Sequence, residues 1–371
     1  MMKNKIPKLN ILSKLTTRGQ LWHNRSWFQR FWIILLLIVL VVYAQAVAIS
    51  DWYINKHKNE PLNYGVTFIS DYASYLGTDP QASFKALRDD MGIHRFRLVT
   101  YMNDVEPQKG VYDFSDIDWQ LQMIAQVHGA ATVSIGMRQP RWPECHLADW
   151  AATESVAQRS SDVDDYIKAT VAHLKNYPVV QSYQLENEYF LGVFGACPPA
   201  SRTQLINEYN ITKATDPKRP IILSLANNYF GIPTGQPRPD EFGVSVYKRV
   251  FDYTVTRRYF EYPFTPRYYA YRAGLTEIFT GRESMLHELQ VEPWPATGFD
   301  IRTAPLSEEY KSMNPKIAAS RIQYGRATGF RDIDMWGGEW WYYLKVVRHD
   351  PAVWNAVKGA LDQVRSQDGA H

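Results

Sequence analysis

Residues 180–189 read VQSYQLENEY, a short β-rich run that passes directly into the polar side chains Glu186, Asn187 and Glu188. Similar runs recur along the chain and alternate with longer amphipathic stretches, the pattern of parallel βα units. Eight strands are predicted, at 65–69, 95–99, 131–136, 180–185, 221–225, 244–247, 284–289 and 333–336. Helices are predicted between them, for example at 81–91, 116–128, 160–176, 202–214 and 314–328. Because eight βα units close a barrel, the predicted fold class is α/β, a (β/α)8 TIM barrel.

A doubly wound open sheet is the competing interpretation. Such a sheet usually carries a glycine-rich phosphate-binding turn after its first strand. Here the first predicted strand runs into Ser70-Asp71-Tyr72-Ala73, which contains no glycine. The barrel is therefore favoured.

The N-terminal fifty residues differ from the rest of the chain. Residues 1–30 carry seven basic side chains and no acid, and residues 31–49 form an uncharged, mostly apolar run. About 20 such residues cross a ~30 Å hydrocarbon core. We therefore predict a basic cytoplasmic segment at 1–30, a transmembrane anchor in the lipid bilayer at 31–50, a polar linker at 51–61 and the barrel at 62–371.

The basic flank predicts a cytoplasmic N-terminus and an extracytoplasmic barrel on a single-pass cell-membrane protein. The alternative is a cleaved signal peptide and a secreted enzyme, since Ala44-Gln45-Ala46 resembles a cleavage site. The long basic region and the length of the apolar run favour a retained anchor.

Net charge gives no indication of nucleic-acid binding. The formal charge is +3, and removing the seven basic residues of the anchor region leaves −4 for the remainder. The basic pI thus reflects the N-terminus. Aromatic residues make up 14% of the chain, which is typical of proteins that stack sugar rings but also of large cores.

Polar groups at the C-terminal strand ends are the candidates for chemistry, because TIM-barrel active sites lie there. Their order along the chain resembles that of the retaining glycoside hydrolases of clan A, the cellulase-like and β-galactosidase-like families. The matching elements are Arg97 with the following Glu106-Pro107 and Gly110-Val111-Tyr112-Asp113-Phe114, then Asn187-Glu188, then Glu288. The resemblance covers about residues 62–345.

The resemblance implies that Glu188 is the general acid/base and Glu288 the nucleophile. It also implies that Asn187 binds the sugar 2-hydroxyl, that Arg97 and Tyr247 keep the nucleophile ionised, and that Trp336 forms a platform under the sugar. Retention requires one carboxylic acid to protonate the leaving oxygen and one carboxylate to attack the anomeric carbon. Arg97 lowers the pKa of a neighbouring carboxylate by its charge.

Several assignments have alternatives. Glu292 competes with Glu288, but it precedes Pro293 and is expected in the loop, in a supporting role. His287 beside Glu288 resembles the start of a zinc-protease motif, but position 291 is Val and the second ligand is missing. Glu186 is expected to bond a neighbouring strand end or loop. The remaining polar and aromatic side chains expected at the edge of the cleft are Arg138, Gln139, Arg141 and Trp142.

The two cysteines, Cys145 and Cys197, follow strands three and four, so their loops are neighbours at the barrel mouth. A disulfide is reasonable in an oxidising compartment, and two unpaired thiols are the alternative. No metal site and no cofactor are predicted.

The sequence thus predicts a retaining O-glycosyl hydrolase whose partner is a carbohydrate, with β bonds favoured. A membrane-tethered transglycosylase and a non-catalytic carbohydrate-binding barrel are the alternatives. The sequence specifies neither the sugar, nor exo or endo action, nor a protein partner or oligomeric state.

Overall fold

The computed structural model describes residues 26–227, 229, 231–296 and 299–368 of the chain. These fall into two compact units, with the boundary between Ile49 and Ser50. Helix α1, Trp27–His57, contains this boundary. By length and composition α1 could cross a membrane, although a signal sequence passes the same test. Most of the basic segment predicted at 1–30 lies outside the described residues.

The sequence predicts a polar linker at 51–61. The structure differs, because α1 continues into this segment as far as His57. The reason is packing within the second unit, to which residues 50–57 belong. Tyr53 is buried and its hydroxyl donates to the carbonyl of Ser284 at 3.3 Å. His57 is also buried, and its Nε2 lies 3.0 Å from Oε2 of Glu277. These contacts satisfy polar side chains that the sequence alone suggests are solvated.

Eight parallel strands form a closed barrel, namely β1 (Asn63–Thr67), β2 (Arg95–Val99), β3 (Ala130–Ile135), β4 (Val180–Leu185), β5 (Ile221–Leu225), β6 (Glu241–Val246), β9 (Glu283–Gln290) and β10 (Asp332–Trp336). Their order around the barrel is β1-β10-β9-β6-β5-β4-β3-β2. The predicted TIM barrel is confirmed. The third residue of β6, Gly243, allows close packing, since a Cβ there would lie 2.7 Å from Nδ1 of His287.

Helices connect the strands, and the predicted ones begin and end within a few residues of their observed bounds. The longer helices are α3 (Pro80–Asp89), α5 (Ser115–Ala125), α7 (Val156–Leu174), α8 (Arg202–Thr215), α9 (Pro266–Thr280), α11 (Pro315–Ala327), α12 (Gly338–Val346) and α13 (Ala352–Asp368). The short ones are α2 (Ser70–Tyr75), α4 (Met102–Val105), α6 (Asp149–Ala152) and α10 (Leu306–Glu309).

The aromatic-rich segment after β6 contains an extra hairpin before α9. Its strands, β7 (Arg249–Phe251) and β8 (Tyr259–Glu261), pair antiparallel outside the barrel. This hairpin stands at the C-terminal end of β6 and contributes one wall of the cleft described below.

Candidate active site

The C-terminal ends of β3, β4, β5, β6, β9 and β10, with the loops that follow them, line a cleft of about 680 Å³. Five of the side chains that the sequence assigns to a glycosidase site line it, namely Asn187, Glu188, Tyr247, Glu288 and Trp336. The lining also includes the predicted edge residues Arg141 and Trp142, the predicted supporting residue Glu292, and Glu144. The fold therefore brings together strand-end residues that are far apart in the sequence. Asn187 and Trp336, for example, are separated by 149 positions.

Glu288 is a buried carboxylate with two strong donors. Nη1 of Arg97 donates to its Oε1 at 2.9 Å, and the hydroxyl of Tyr247 donates to its Oε2 at 2.8 Å. Glu288 lies within β9, so its backbone is fixed by the barrel hydrogen bonds to β6 and β10. A guanidinium and a phenol both favour the ionised form of a carboxylate. This environment suits an anionic nucleophile.

Arg97 also orients Asn187. The Arg97 side chain is fully buried, and its Nη2 donates to Oδ1 of Asn187 at 3.0 Å. Nε2 of Gln184 donates to the same oxygen at 3.0 Å. These two donors fix the amide oxygen of Asn187. The amide nitrogen donates to Oε2 of Glu144, a residue that lines the cleft, at 3.1 Å.

Glu188 occupies a different electrostatic environment from Glu288. It follows β4 on a turn in which Glu186 and Glu188 both have positive φ, 55° and 44°, so the chain bends sharply around Asn187. Burial and the charge of Glu288 raise the pKa of the Glu188 carboxyl to about 8, and a hydrogen bond from Ser245 opposes that rise. Both causes favour the protonated form of Glu188, which is the form that a general acid requires.

Glu186 has a structural contact instead. Its carboxylate accepts from the backbone N–H groups of Met137 and Arg138, both at 2.7 Å. It bonds the loop after β3, as expected from the sequence, and does not line the cleft.

Glu144 is a cleft residue that the sequence reasoning missed. It is buried, and burial together with the charge of Glu288 raises its pKa to about 7. Nε of Arg138 lies 3.8 Å from its Oε2. The only sequence signal was its place between the predicted cleft residue Trp142 and Cys145, because no strand end or motif marks it.

The other predicted edge residues occupy different positions. Trp142 lines the cleft with 63% of its surface exposed. Arg138 is buried and donates from Nη2 to the carbonyl of Phe194 at 2.8 Å, so it supports the loop that carries Phe194. Gln139 is fully buried, and its amide pairs with the backbone N–H and carbonyl of Thr100. Gln139 therefore fixes the backbone below the cleft.

Cys145 and Cys197 form a disulfide bond, with their Cα atoms 5.2 Å apart. It ties the loop after β3 to the loop after β4. Because Glu144 directly precedes Cys145, the bridge also holds that acid beside Asn187.

Comparisons with known proteins identify the fold. No protein-family profile matches the chain, and no curated protein matches it in sequence. Among solved structures it resembles the protein GH5_18 of Streptomyces cattleya in complex with GlcNAc, with 15% identity, a TM-score of 0.57, and coverage of 82% of this chain and 80% of that one. The chain has the fold of TIM-barrel glycoside hydrolases.

Two further structures show the same likeness. An endo-β-1,4-xylanase of glycoside hydrolase family 10 from Gloeophyllum trabeum shares 15% identity at a TM-score of 0.52, covering 81% of this chain and 96% of the xylanase. An exo-β-1,4-mannosidase from Opitutaceae bacterium strain TAV5 shares 14% identity at a TM-score of 0.52, covering 80% of this chain. This chain spans only 60% of the mannosidase. At these identities the likeness concerns the fold.

Proposed function

We propose that this chain is a retaining glycoside hydrolase that cleaves O-glycosidic bonds in a carbohydrate, with β bonds as its preferred substrates. The observation that carries the proposal is the contrast between two acids in one cleft. Glu288 is held by a guanidinium and a phenol, whereas Glu188 has a pKa raised to about 8. Retention requires one carboxylate that attacks the anomeric carbon and one carboxylic acid that protonates the leaving oxygen, and the two environments suit these two roles.

In the first step, the carboxylate of Glu288 attacks the anomeric carbon while the bond from that carbon to the leaving oxygen breaks. Glu188 gives its proton to the leaving oxygen, so the aglycone departs as an alcohol. The product is a glycosyl ester on Glu288, and Glu188 is left ionised. Arg97 and Tyr247 hold Glu288 in one orientation throughout.

In the second step, a water attacks the anomeric carbon and transfers a proton to Glu188, and the ester bond to Glu288 breaks. Glu188 acts as a base here because the ester carries no charge. The charge of Glu288 is one of the causes that raise the pKa of Glu188, so its loss lowers that pKa. One residue thereby acts as acid and then as base.

The cleft also contains groups suited to holding the sugar. Asn187 is positioned to bond the 2-hydroxyl, because Arg97 and Gln184 fix its amide. Trp336 closes β10 and lines the cleft, so its indole is available to a sugar ring. No metal or cofactor is needed for these steps.

The proposed location is the outer face of the cell membrane, with the barrel tethered by α1. The support is the apolar composition of α1 and the basic residues before it. A cleaved signal sequence would instead release the barrel. Mass spectrometry of the protein from membranes separates the two, because only a retained anchor leaves residues 31–50 in the mature chain.

The test of the enzyme activity is covalent trapping. An activated 2-deoxy-2-fluoro glycoside forms a slowly hydrolysed ester on the nucleophile, and peptide mapping locates it. We expect the adduct on Glu288 and none in Glu288→Gln. An adduct on Glu292 or Glu144 of the wild-type protein would refute the assignment.

Transglycosylation is the second candidate. It is favoured by the hairpin wall, where Phe251, Tyr253, Phe260 and Tyr262 line the cleft together with Trp294. Aromatic side chains stack sugar acceptors, which would then replace water in the second step. Product analysis with added sugar acceptors distinguishes the two reactions, because a transglycosylase gives products longer than its donor.

A further inference from the structure

The side chain of Arg141 connects distant parts of the barrel mouth. Its Nη1 and Nη2 donate to Oε1 and Oε2 of Glu292, both at 3.1 Å. Its guanidinium carbon lies 3.2 Å from the centroid of the Tyr72 ring and 4.5 Å from that of the Trp336 ring. Tyr72 in turn donates to Oε1 of Glu292 at 3.1 Å. We call these four side chains, Tyr72, Arg141, Glu292 and Trp336, the Arg141 bar.

The bar gathers residues from four strand ends. Tyr72 follows β1, Arg141 follows β3, Glu292 follows β9 and Trp336 ends β10. In the barrel, β2 separates β1 from β3, and β10 separates β1 from β9. Arg141 therefore reaches across the mouth above β2 and β1 to meet the opposite loops.

The cleft ends at the bar. Arg141, Glu292 and Trp336 line it. The loops after β1 and β2 line a separate cavity of about 410 Å³, which includes Asp71 and Tyr101. Among the described residues none lines both cavities.

The bar is a fixed wall, because two hydrogen bonds join the guanidinium of Arg141 to the buried carboxylate of Glu292. Tyr72 and Glu292 are each 6% exposed. The carbonyl of Arg141 accepts from the backbone N–H of Glu144 at 2.7 Å and lies 3.0 Å from Nε2 of His146. Moving the guanidinium away would leave the carboxylate of Glu292 buried without its cation, which is strongly unfavourable. The wall is thus expected to stay closed when substrate binds.

We propose that the Arg141 bar closes the glycone end of the cleft, so that the protein removes single terminal sugars from a chain. This rests on the proposed function. The leaving group departs past Glu188, which protonates it, so the rest of the glycone extends the other way, toward Trp336 and the bar. A second sugar on that side would have to occupy the space of the Arg141–Glu292 pair.

The experiment compares trapping reagents of two lengths. Each pair consists of a 2,4-dinitrophenyl 2-deoxy-2-fluoro-β-glycoside of one sugar and of its β-1,4-linked disaccharide, in the gluco, galacto, manno and xylo series. Intact-protein mass spectrometry follows ester formation on Glu288, with dinitrophenolate as the leaving group. We expect the monosaccharide of at least one series to label the wild-type protein at least about 100-fold faster than its disaccharide.

The double variant Arg141→Ala/Glu292→Ala removes both charges together, so neither is left unpaired. We expect it to gain at least about tenfold in labelling by the disaccharide relative to the monosaccharide. The matched control is Arg326→Ala/Asp368→Ala, which removes a more exposed ion pair (Nη2 to Oδ1, 3.0 Å) remote from the cleft and should leave the ratio unchanged.

The outcomes separate the two proposals. Disaccharide labelling of the wild-type protein within about tenfold of the monosaccharide rate overturns the bar and leaves the glycosidase proposal standing. Failure of every reagent to label Glu288 overturns the proposed function, and the bar proposal with it. The ratio of the two labelling rates in the wild-type protein tests the Arg141 bar even if the double variant does not fold.

Discussion

Nη1 of Arg97 donates to Oε1 of Glu288 at 2.9 Å, and both side chains are buried inside the barrel. The same guanidinium donates to Oε1 of Gln184 at 2.6 Å and to Oδ1 of Asn187 at 3.0 Å. One cation thus fixes the candidate nucleophile and the residue expected to bind the 2-hydroxyl. Catalysis and stability are therefore coupled at this position.

Arg97→Ala should destabilise the protein as well as inactivate it. Removing one partner of a buried pair leaves the other charge uncompensated, at a cost of about 3–5 kcal/mol in the free energy of unfolding. Urea unfolding followed by circular dichroism measures it. In Arg97→Ala/Glu288→Gln the orphaned charge is absent, so most of the lost stability should return. Equal destabilisation of the single and double variants would contradict this account.

Tyr247→Phe should separate catalysis from stability. The hydroxyl of Tyr247 donates to Oε2 of Glu288 at 2.8 Å, and a hydrogen bond to a charged group contributes about 1.5–3 kcal/mol. If that energy is realised in the transition state, kcat falls roughly 10- to 100-fold. Tyr310→Phe is the matched control, because its hydroxyl donates to Oδ2 of Asp350 at 3.0 Å outside the cleft. A similar loss of activity in both variants would argue against the role of Tyr247.

The pH profile should report the protonation of Glu188. Burial and the charge of Glu288 raise the pKa of Glu188 to about 8, and only its protonated form is a general acid. The value of kcat/KM should therefore fall as the pH rises through about 8.

Ser245 provides the control for this assignment. Its hydroxyl donates to Oε1 of Glu188, and this hydrogen bond lowers the pKa of that carboxyl. Ser245→Ala should consequently raise the pKa and move the alkaline limb of the profile to higher pH. A limb that stays in place, or moves to lower pH, would assign it to another group.

Loss of the disulfide should lower the stability of the folded protein. The bond joins Cys145 to Cys197, 52 positions apart, and in the chain-entropy model a loop of that length contributes roughly 4 kcal/mol. Cys145→Ser/Cys197→Ser should therefore lower Tm, measured by calorimetry without reductant. Wild-type protein in reductant should approach the same Tm, while reductant should leave the variant unchanged. Reaction of both wild-type thiols with a maleimide before reduction would show that the bond is absent.

Much of the fold could be predicted from the chain because its signals are local. The run 180–185 coincides with β4 because six residues of β-rich character, followed by polar ones, indicate a strand without reference to the rest of the molecule. Asn187, Glu188 and Glu288 could be named because their order along the chain resembles that of the clan A glycoside hydrolases, and because a barrel brings its strand ends together.

The remaining features depend on contacts between distant residues. Glu144 lies in a loop, and only the hydrogen bond from Asn187 and the adjacent disulfide place it in the cleft. The sequence predicts Glu292 to be a loop acid in a supporting role, yet Arg141, 151 positions earlier, fixes it at the end of the cleft. Residues 51–57 read as a linker because nothing nearby in the sequence shows that Glu277 pairs with His57.

The sequence by itself therefore determined the eight-stranded barrel, since periodicity and strand order are properties of the chain, and the resemblance in motif order pointed to Glu188 after β4 and Glu288 in β9. The tertiary structure alone decided the opposite environments of those acids, the third carboxyl at Glu144 and the wall formed by Arg141. Burial, charge pairing and the shape of a cleft arise from packing between segments, and no local pattern encodes them.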